Sequence, residues 1–575
     1  MRHRSRALVA LALCACAAQI AAAAVAATAP AGAPLALARH GVSAYAIYVD
    51  PNAPPSVAHS AQALQAYINK VAAVSLPIVG ERPRGHFISV GHTAAARAAG
   101  FDTSALLYDG FRIATREGNL FILGNDTPGE QLNAQGGASA GTANGVFTFI
   151  EDYLGVRWLG PEAGAEVARA VDEVTVAPLE RAEAPPFAYR VLPYIGAGAG
   201  VPQWERHMKL GKVAAPAHGH AWEETIPADQ FKLHPDWFAS RGGVHQRPQA
   251  DYKLETTNPA LVQAYAKVIV ERFRANPELR AYSLSPSDGS AGWSDSPAAL
   301  ALQEADPHGE LSRTPLILKF YNDVARIVGK EFPDRQLAGY LYASYLYPPA
   351  AGIPKMESNL ALVLASSISY GFQLYRPSAR REWEQLARSW GEGARRNGFT
   401  LYYYDLPTHV IPNDQAIVPP APDILNFIFP RLREYGFKGA YVYGMPDWRS
   451  AGPGNYAIAR MLWKPDQDAR ALLHDYYEAA YGAAAAVHVE ALYQHLDAAY
   501  RAFYMRNPKA GYAFTPRHLS EIYAPLAATI EACYQRARAA VAQPEQAQRL
   551  ALLGEAIAQM QAQLRARRLA PARQG

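Results

Sequence analysis

Five short clusters carry most of the groups in this chain that could do acid–base work. His218, His220, Trp222 and Glu223 follow one apolar run, and Asp288 and Trp293 follow a second. Tyr342, Ser344, Tyr345 and Tyr347 close a third, Asp405 and His409 a fourth, and Asp447, Trp448 and Arg449 a fifth. Carboxylates and imidazoles among aromatic rings suit carbohydrate. Ring faces stack on the apolar faces of sugars, while the charged groups bond the hydroxyls. Cleaving a glycosidic bond takes two carboxyl groups, one protonated as acid and one ionised as nucleophile or base. Asp288 is the first candidate, with Asp405 or Asp447 as its partner. His218, His220, Trp222, Asn258, Trp293, Tyr342, Tyr345 and Trp448 are then substrate contacts, with Trp158 reaching in from the N-terminal part. Trp293, five residues beyond Asp288, is expected to shield that carboxyl and raise its pKa.

Each residue also has a plainer reading. His218-x-His220 lacks the spaced third ligand that zinc needs, so hydrogen-bonded loop histidines are expected and no metal. Asp288-Gly289 is a common turn dipeptide. Asp405 follows Tyr402, Tyr403 and Tyr404, where a buried carboxylate needs a partner or a task. Asp447 could cap a local turn. Two other classes of function use the same residues: a non-catalytic carbohydrate-binding protein, and a polysaccharide lyase with His218, His220 or Tyr345 as base.

The runs that precede these clusters are Lys212–Ala215, Ala281–Leu284, Leu337–Tyr342, Phe399–Tyr404 and Gly439–Tyr443, joined by Tyr189–Leu192 and Leu360–Ala365. Strands alternating with helical stretches across 187–460 predict a parallel sheet, and the span suits a (β/α)8 TIM barrel, whose reactive groups collect past the C-terminal strand ends. Before it, 35–182 reads as a small α/β domain. Beyond it, 461–575 is helical, with Leu550, Leu553, Ile557, Met560 and Leu564 on one stripe.

Composition removes several alternatives. Lys plus Arg number 55 against 51 Asp plus Glu, so no overall field gathers nucleic acid. Arg2, Arg4 and Arg6, followed by an apolar alanine-rich stretch, predict a cleaved signal peptide over 1–31 and a periplasmic or secreted protein. Leu13-Cys-Ala-Cys16 alternatively predicts a lipoprotein acylated at Cys16. No other run is long enough to span a membrane. Of the 3 cysteines only Cys533 lies beyond the leader, which excludes internal disulfides, cysteine-based zinc and thiol catalysis. No Gly-x-Ser-x-Gly elbow or glycine-rich phosphate loop follows a strand, and no cofactor is expected.

Longer motifs add a family resemblance. They are Gly124-Asn-Asp126, Gly141-Thr-Ala-Asn-Gly145 running on to Gly155-Val-Arg-Trp158-Leu-Gly-Pro161, and His234-Pro-Asp-Trp-Phe238. Thr257-Asn258-Pro259, Ser283-Leu-Ser-Pro-Ser-Asp288-Gly289, Leu462-Trp463-Lys-Pro465 and Tyr476-Tyr477 complete the set. Together they resemble the bacterial domain-of-unknown-function family 4838, itself similar to α-glucuronidases of glycoside hydrolase family 67 and hexosaminidases of family 20. The resemblance implies a small domain and a barrel with a sugar-type site; with the leader and the clustered carboxylates, the favoured expectation is an exported α-glucuronidase- or hexosaminidase-like glycoside hydrolase acting on polysaccharide or oligosaccharide. Departures occur where the family often has cysteines: this chain has Ala291-Gly-Trp293 and Leu254-Glu255-Thr256, and Ser287 stands where Asn is commoner.

Overall fold

The computed structural model describes residues 32–569 except 129–131, 134–135, 163 and 413–415. Residues 1–31, where the signal peptide is expected, with Cys14 and Cys16, lie outside the described residues.

The N-terminal part is built on a six-stranded sheet of β1 (Tyr45–Val49), β2 (Ile78–Val79), β3 (His86–Val90), β4 (Phe111–Arg116), β5 (Asn119–Gly124) and β6 (Glu180–Glu183), ordered β6-β4-β5-β3-β1-β2. Helices α1 (Pro55–Ala72) and α2 (Gly141–Tyr153) cover it. In α1 the buried Val57, Ala61, Leu64, Ile68 and Val71 recur every three to four residues, the spacing that turns one helical face to a core.

The second sheet positions the chemistry. Its strands are β7 (Tyr189–Val191), β8 (Gly211–Lys212), β9 (Ala281–Ser283), β10 (Gln336–Leu341), β11 (Leu360–Ala365), β12 (Thr400–Asp405) and β13 (Gly439–Val442). They are ordered β8-β7-β13-β12-β11-β10-β9, and all but β8 run parallel. All six residues of β11 are buried, as a parallel strand covered on both faces demands. The described residues therefore form a curled sheet of seven strands, not the complete eight-stranded barrel expected from the sequence. The difference lies at Lys212–Ala215. Only Gly211 and Lys212 pair, antiparallel to β7, and Pro216 and Gly219 (φ +135°) then break the ladder. The irregular segment 213–221 crosses the open side instead. Val213 N–H donates to Ala188 O at 2.8 Å, and Ala221 N–H to Ser285 O at 3.1 Å.

Helices α3 (Pro259–Ala275), α4 (Thr314–Val328), α5 (Pro377–Asn397), α6 (Pro422–Glu434) and α7 (Trp448–Trp463) follow the strands. Helix α4 buries Leu316, Ile317, Phe320, Tyr321, Val324 and Val328, each worth roughly 1.5–3 kcal/mol when fully buried. Gly339 on β10 admits the Tyr321 ring, which would lie 2.3 Å from a Cβ there. The curled sheet's inner face is aromatic: Tyr189 meets Tyr402 at 5.8 Å between ring centroids, and Tyr340 meets Tyr404 at 5.6 Å.

Helices α8 (Ala469–Tyr481), α9 (Ala483–Arg506), α10 (Ala524–Ala540) and α11 (Pro544–Ala566) complete the chain. The Leu550–Leu564 stripe and Cys533 are buried between them. Among the described residues no helix is long and apolar enough to cross a membrane.

Candidate active site

The C-terminal ends of β10–β13 surround a cleft of about 200 Å³. Six tyrosines line it: Tyr340 on β10 and Tyr342 just after it, Tyr370 after β11, Tyr404 on β12, Tyr443 after β13, and Tyr512 from the loop between α9 and α10. Tyr404 and Tyr443 share a hydrogen bond of 2.5 Å, and Tyr443 donates to Tyr194 at 3.3 Å. Burial pushes the Tyr404 and Tyr443 hydroxyls above the ordinary phenol range, so both remain neutral donors at physiological pH. Tyr194 and Tyr443 stack with centroids 4.3 Å apart.

His220 and Asp288 are the ionisable pair in this wall. His220 Nδ1–H donates to Pro286 O at 2.5 Å; a carbonyl only accepts, so that nitrogen carries the proton. Nε2 is left facing Asp288 Oδ1 at 3.6 Å. The Asp288 turn is held twice more. Gly289 N–H donates to Asp288 Oδ1 at 2.7 Å, and Lys253 Nζ donates to Asp288 O at 2.6 Å. Lys253 is itself buried and also bonds Asp251 O at 2.9 Å. Two side chains thus grip the carbonyls on either side of Ser287 and aim the carboxylate at the imidazole.

Beneath the pair, His218 bridges Tyr189 OH through Nε2 and Tyr340 OH through Nδ1, both at 3.0 Å. Burial depresses its pKa to about 4, so this imidazole is neutral and fixes the two phenols. Among the described residues no three His, Cys, Asp or Glu side chains are placed to hold a metal ion.

A family model described as a domain of unknown function, DUF4838, matches residues 165–494. The chain belongs to this family. No curated protein matches it. Among solved structures, a family GH115 4-O-methyl-α-glucuronidase with specificity for decorated arabinogalactans aligns with a TM-score of 0.54 at 14% identity, over 92% of this chain and 72% of that one. A Streptomyces plicatus N-acetyl-β-hexosaminidase aligns with a TM-score of 0.39 at 13% identity, over 78% of this chain and 93% of that one. The likeness to the first is one of fold: this chain's architecture is similar to that of a glycoside hydrolase.

Of the residues singled out in the sequence, the structure brings Asp288, His220 and Tyr342 to the cleft, with His218 just beneath. The other two carboxyl groups stand apart. Asp405 has the parity of Tyr403 on β12 and shares the outer face of the sheet, opposite Tyr404. It is fully buried, accepts from Leu406 N–H at 2.7 Å and from Tyr403 OH, and burial raises its pKa to about 7. Asp447 caps α7 and is locked by Arg449, whose Nε lies 2.8 Å from Oδ1.

The remaining aromatic and amide residues have structural partners. Trp222 is fully buried and donates to Leu284 O at 2.9 Å. Asn258 caps α3 by accepting from Ala260 N–H at 2.8 Å. Trp293 does not shield Asp288, whose side chain is 58% exposed; it packs instead on Trp222 and Tyr345, both buried. Trp448 donates to Ile195 O at 2.7 Å and faces a different cavity. Trp158 is buried in the N-terminal part and donates to Tyr67 OH at 2.8 Å.

Sequence reasoning missed Tyr340, Tyr370, Tyr404, Tyr443 and Tyr512 as lining residues. Alternation along β10 and β12 already gave Tyr340 and Tyr404 a common inward parity. Tyr512 carried no local signal, because backbone bonding of Ile411 N–H to Tyr512 O at 2.8 Å brings it across from the helical region.

Proposed function

We propose that this family member is a carbohydrate-active enzyme that hydrolyses glycosidic bonds in the tyrosine cleft. The observation that carries the reading is the His220–Asp288 pair, 3.6 Å apart, opening into a wall of six tyrosines at the strand ends. Sugar rings stack on the tyrosine faces, and the neutral phenols and His220 bond their hydroxyls. Asp288 acts at the anomeric centre, and His220 Nε2 exchanges the proton with the glycosidic oxygen or the attacking water. The substrate is a polysaccharide or oligosaccharide fragment met outside the cytoplasm, in keeping with the leader-like N-terminus.

One observation favours a second reading, a carbohydrate-binding protein without turnover. Asp288 is the sole carboxylate among the described residues lining the cleft, whereas most glycosidases use two. A panel of aryl-glycosides and oligosaccharides, neutral and uronic, separates the readings. The hydrolase releases reducing sugar without an ultraviolet-absorbing unsaturated product, and Asp288→Asn lowers turnover by about a hundredfold or more while folding and sugar binding persist. Binding without product from the wild-type chain overturns hydrolysis in favour of the binding reading. Wild-type turnover in Asp288→Asn overturns the site, and an unsaturated product replaces hydrolysis with elimination.

A further inference from the structure

Asp447 and Trp448 are not part of the tyrosine cleft, yet they line a cavity of about 300 Å³ at the junction of all three regions of the chain. One wall is formed by Leu159, Gly160, Glu162, Gly164 and Ala165 of the N-terminal part, the second by the Pro446–Arg449 turn after β13, and the third by α8 and α11. We propose that this cavity is a second carbohydrate site, separate from the cleft, that holds a neutral sugar unit. The proposal rests on the reading that the protein handles carbohydrate.

Trp448 supplies the platform. Its indole N–H is spent on Ile195 O at 2.7 Å, and its ring is set edge-to-face on Trp204 at 4.8 Å and 75°. The half-buried ring is therefore held in one orientation, with its carbon surface turned to the cavity. Gly160 keeps that surface open: a Cβ there would lie 3.1 Å from the Trp448 ring and 2.8 Å from Glu162 Oε2. Glu162 supplies the polar contact. Burial and, to a lesser degree, the neighbouring Asp447 charge raise its pKa, and its carboxyl makes no hydrogen bond to another described residue. It is available to sugar hydroxyls as an acceptor.

The ionisable groups of the lining, Glu162, Asp447 and Glu545 against Arg449 and Arg549, nearly balance, which favours a neutral ligand over an ion. Asp447 is neutralised by both arms of Arg449, at 2.8 and 3.1 Å, and Arg549 spends its guanidinium on the carbonyls of Gly164, Ala480 and Glu166 at 2.9, 3.3 and 3.2 Å. A fixed aromatic face beside a carboxyl that is bonded only by its own backbone N–H among the described residues is the arrangement that sugar rings fit, apolar face down and hydroxyls outward.

The test is calorimetric titration of the full chain with neutral cello-, xylo-, manno- and galacto-oligosaccharides of three to six units. Three variants accompany it: Leu552→Trp, which fills the cavity from its exposed rim; Glu162→Gln, which keeps the shape and removes the charge; and Tyr342→Ala in the cleft. At least one oligosaccharide is expected to bind at two sites per chain, one of them weakened tenfold or more by Leu552→Trp and by Glu162→Gln and indifferent to Tyr342→Ala. A single site insensitive to Leu552→Trp overturns this proposal and leaves the cleft standing. A single site lost only in Leu552→Trp supports it and overturns the cleft instead. No binding by any member overturns both.

Discussion

Replacing Glu151 with Gln tests the polar joint that holds the N-terminal part against the second sheet. Glu151 on α2 is 2% exposed and faces Arg460 of α7, to which it is hydrogen-bonded, and Lys209, whose Nζ lies 3.6 Å from Oε2. Lys209 is 4% exposed and Arg460 17%. Burial alone would raise the Glu151 pKa, but the two cations outweigh it and hold the carboxyl at about 2, below its usual 4.5. At 1.36 kcal/mol per unit that depression corresponds to about 3 kcal/mol of stability. Lys209 responds in the opposite sense, its pKa lowered by burial in spite of Glu151, so the Arg460 contact carries the joint. Glu151→Gln leaves two cations buried without an anion, a loss of about 3–5 kcal/mol. For a unit of this size, at roughly 2 °C per kcal/mol, the melting temperature falls by about 6–10 °C. Because the folded pKa is depressed, the contribution is full above pH ~4.5 and vanishes as the pH falls through about 2, so wild type and variant converge in acid. Urea unfolding followed by tryptophan fluorescence at pH 7 and pH 3 measures both effects. A variant within about 0.5 kcal/mol of wild type at pH 7 refutes the argument.

Two other substitutions separate roles that the sequence alone leaves entangled. Burial raises the Asp405 pKa to about 7, so its favourable neutral form is lost as the pH rises from 3.8 through 7; Asp405→Asn therefore stabilises the fold by a few kcal/mol at pH 8, gains little at pH 4, and leaves sugar turnover intact, as parallel melts and assays will show. Lys253→Met removes the 2.6 Å tether on the Asp288 carbonyl and is expected to lower kcat about tenfold or more with little change in KM, while Lys253→Arg restores part of the rate; an equal loss in both variants, tracking a drop in melting temperature, assigns Lys253 to the core alone.

Much of the second sheet was legible because buried parallel strands are written as apolar runs. Leu360–Ala365 appears in the structure with unchanged boundaries, and Ala281, Leu337 and Gly439 lie in strands where expected. Lys212–Ala215 misled because pairing depends on neighbours: Val213, Ala214 and Ala215 are apolar, but Pro216 and Gly219 prevent the ladder from continuing. At the cleft, placement past a strand end matches where Asp288 and His220 lie, whereas Asp405 shows the limit of that rule. Position along the chain puts it at the mouth, but parity with Tyr403 turns it outward, and its partners are Tyr403 and the Leu406 amide. Asn258 before Pro259 is a helix-start signature, and capping is what it does. Tyr512 is beyond any local reading, since only the tertiary contact with Ile411 brings it to the cleft.

The most direct test of the cleft as the catalytic centre is a crystal structure of the Asp288→Asn chain soaked with an oligosaccharide drawn from the panel that the wild type cleaves. The account predicts sugar rings against Tyr404 and Tyr443, with the glycosidic oxygen within about 3 Å of residue 288 or His220 Nε2. Oligosaccharide bound only at the Trp448 cavity or elsewhere, with the tyrosine cleft empty, contradicts it.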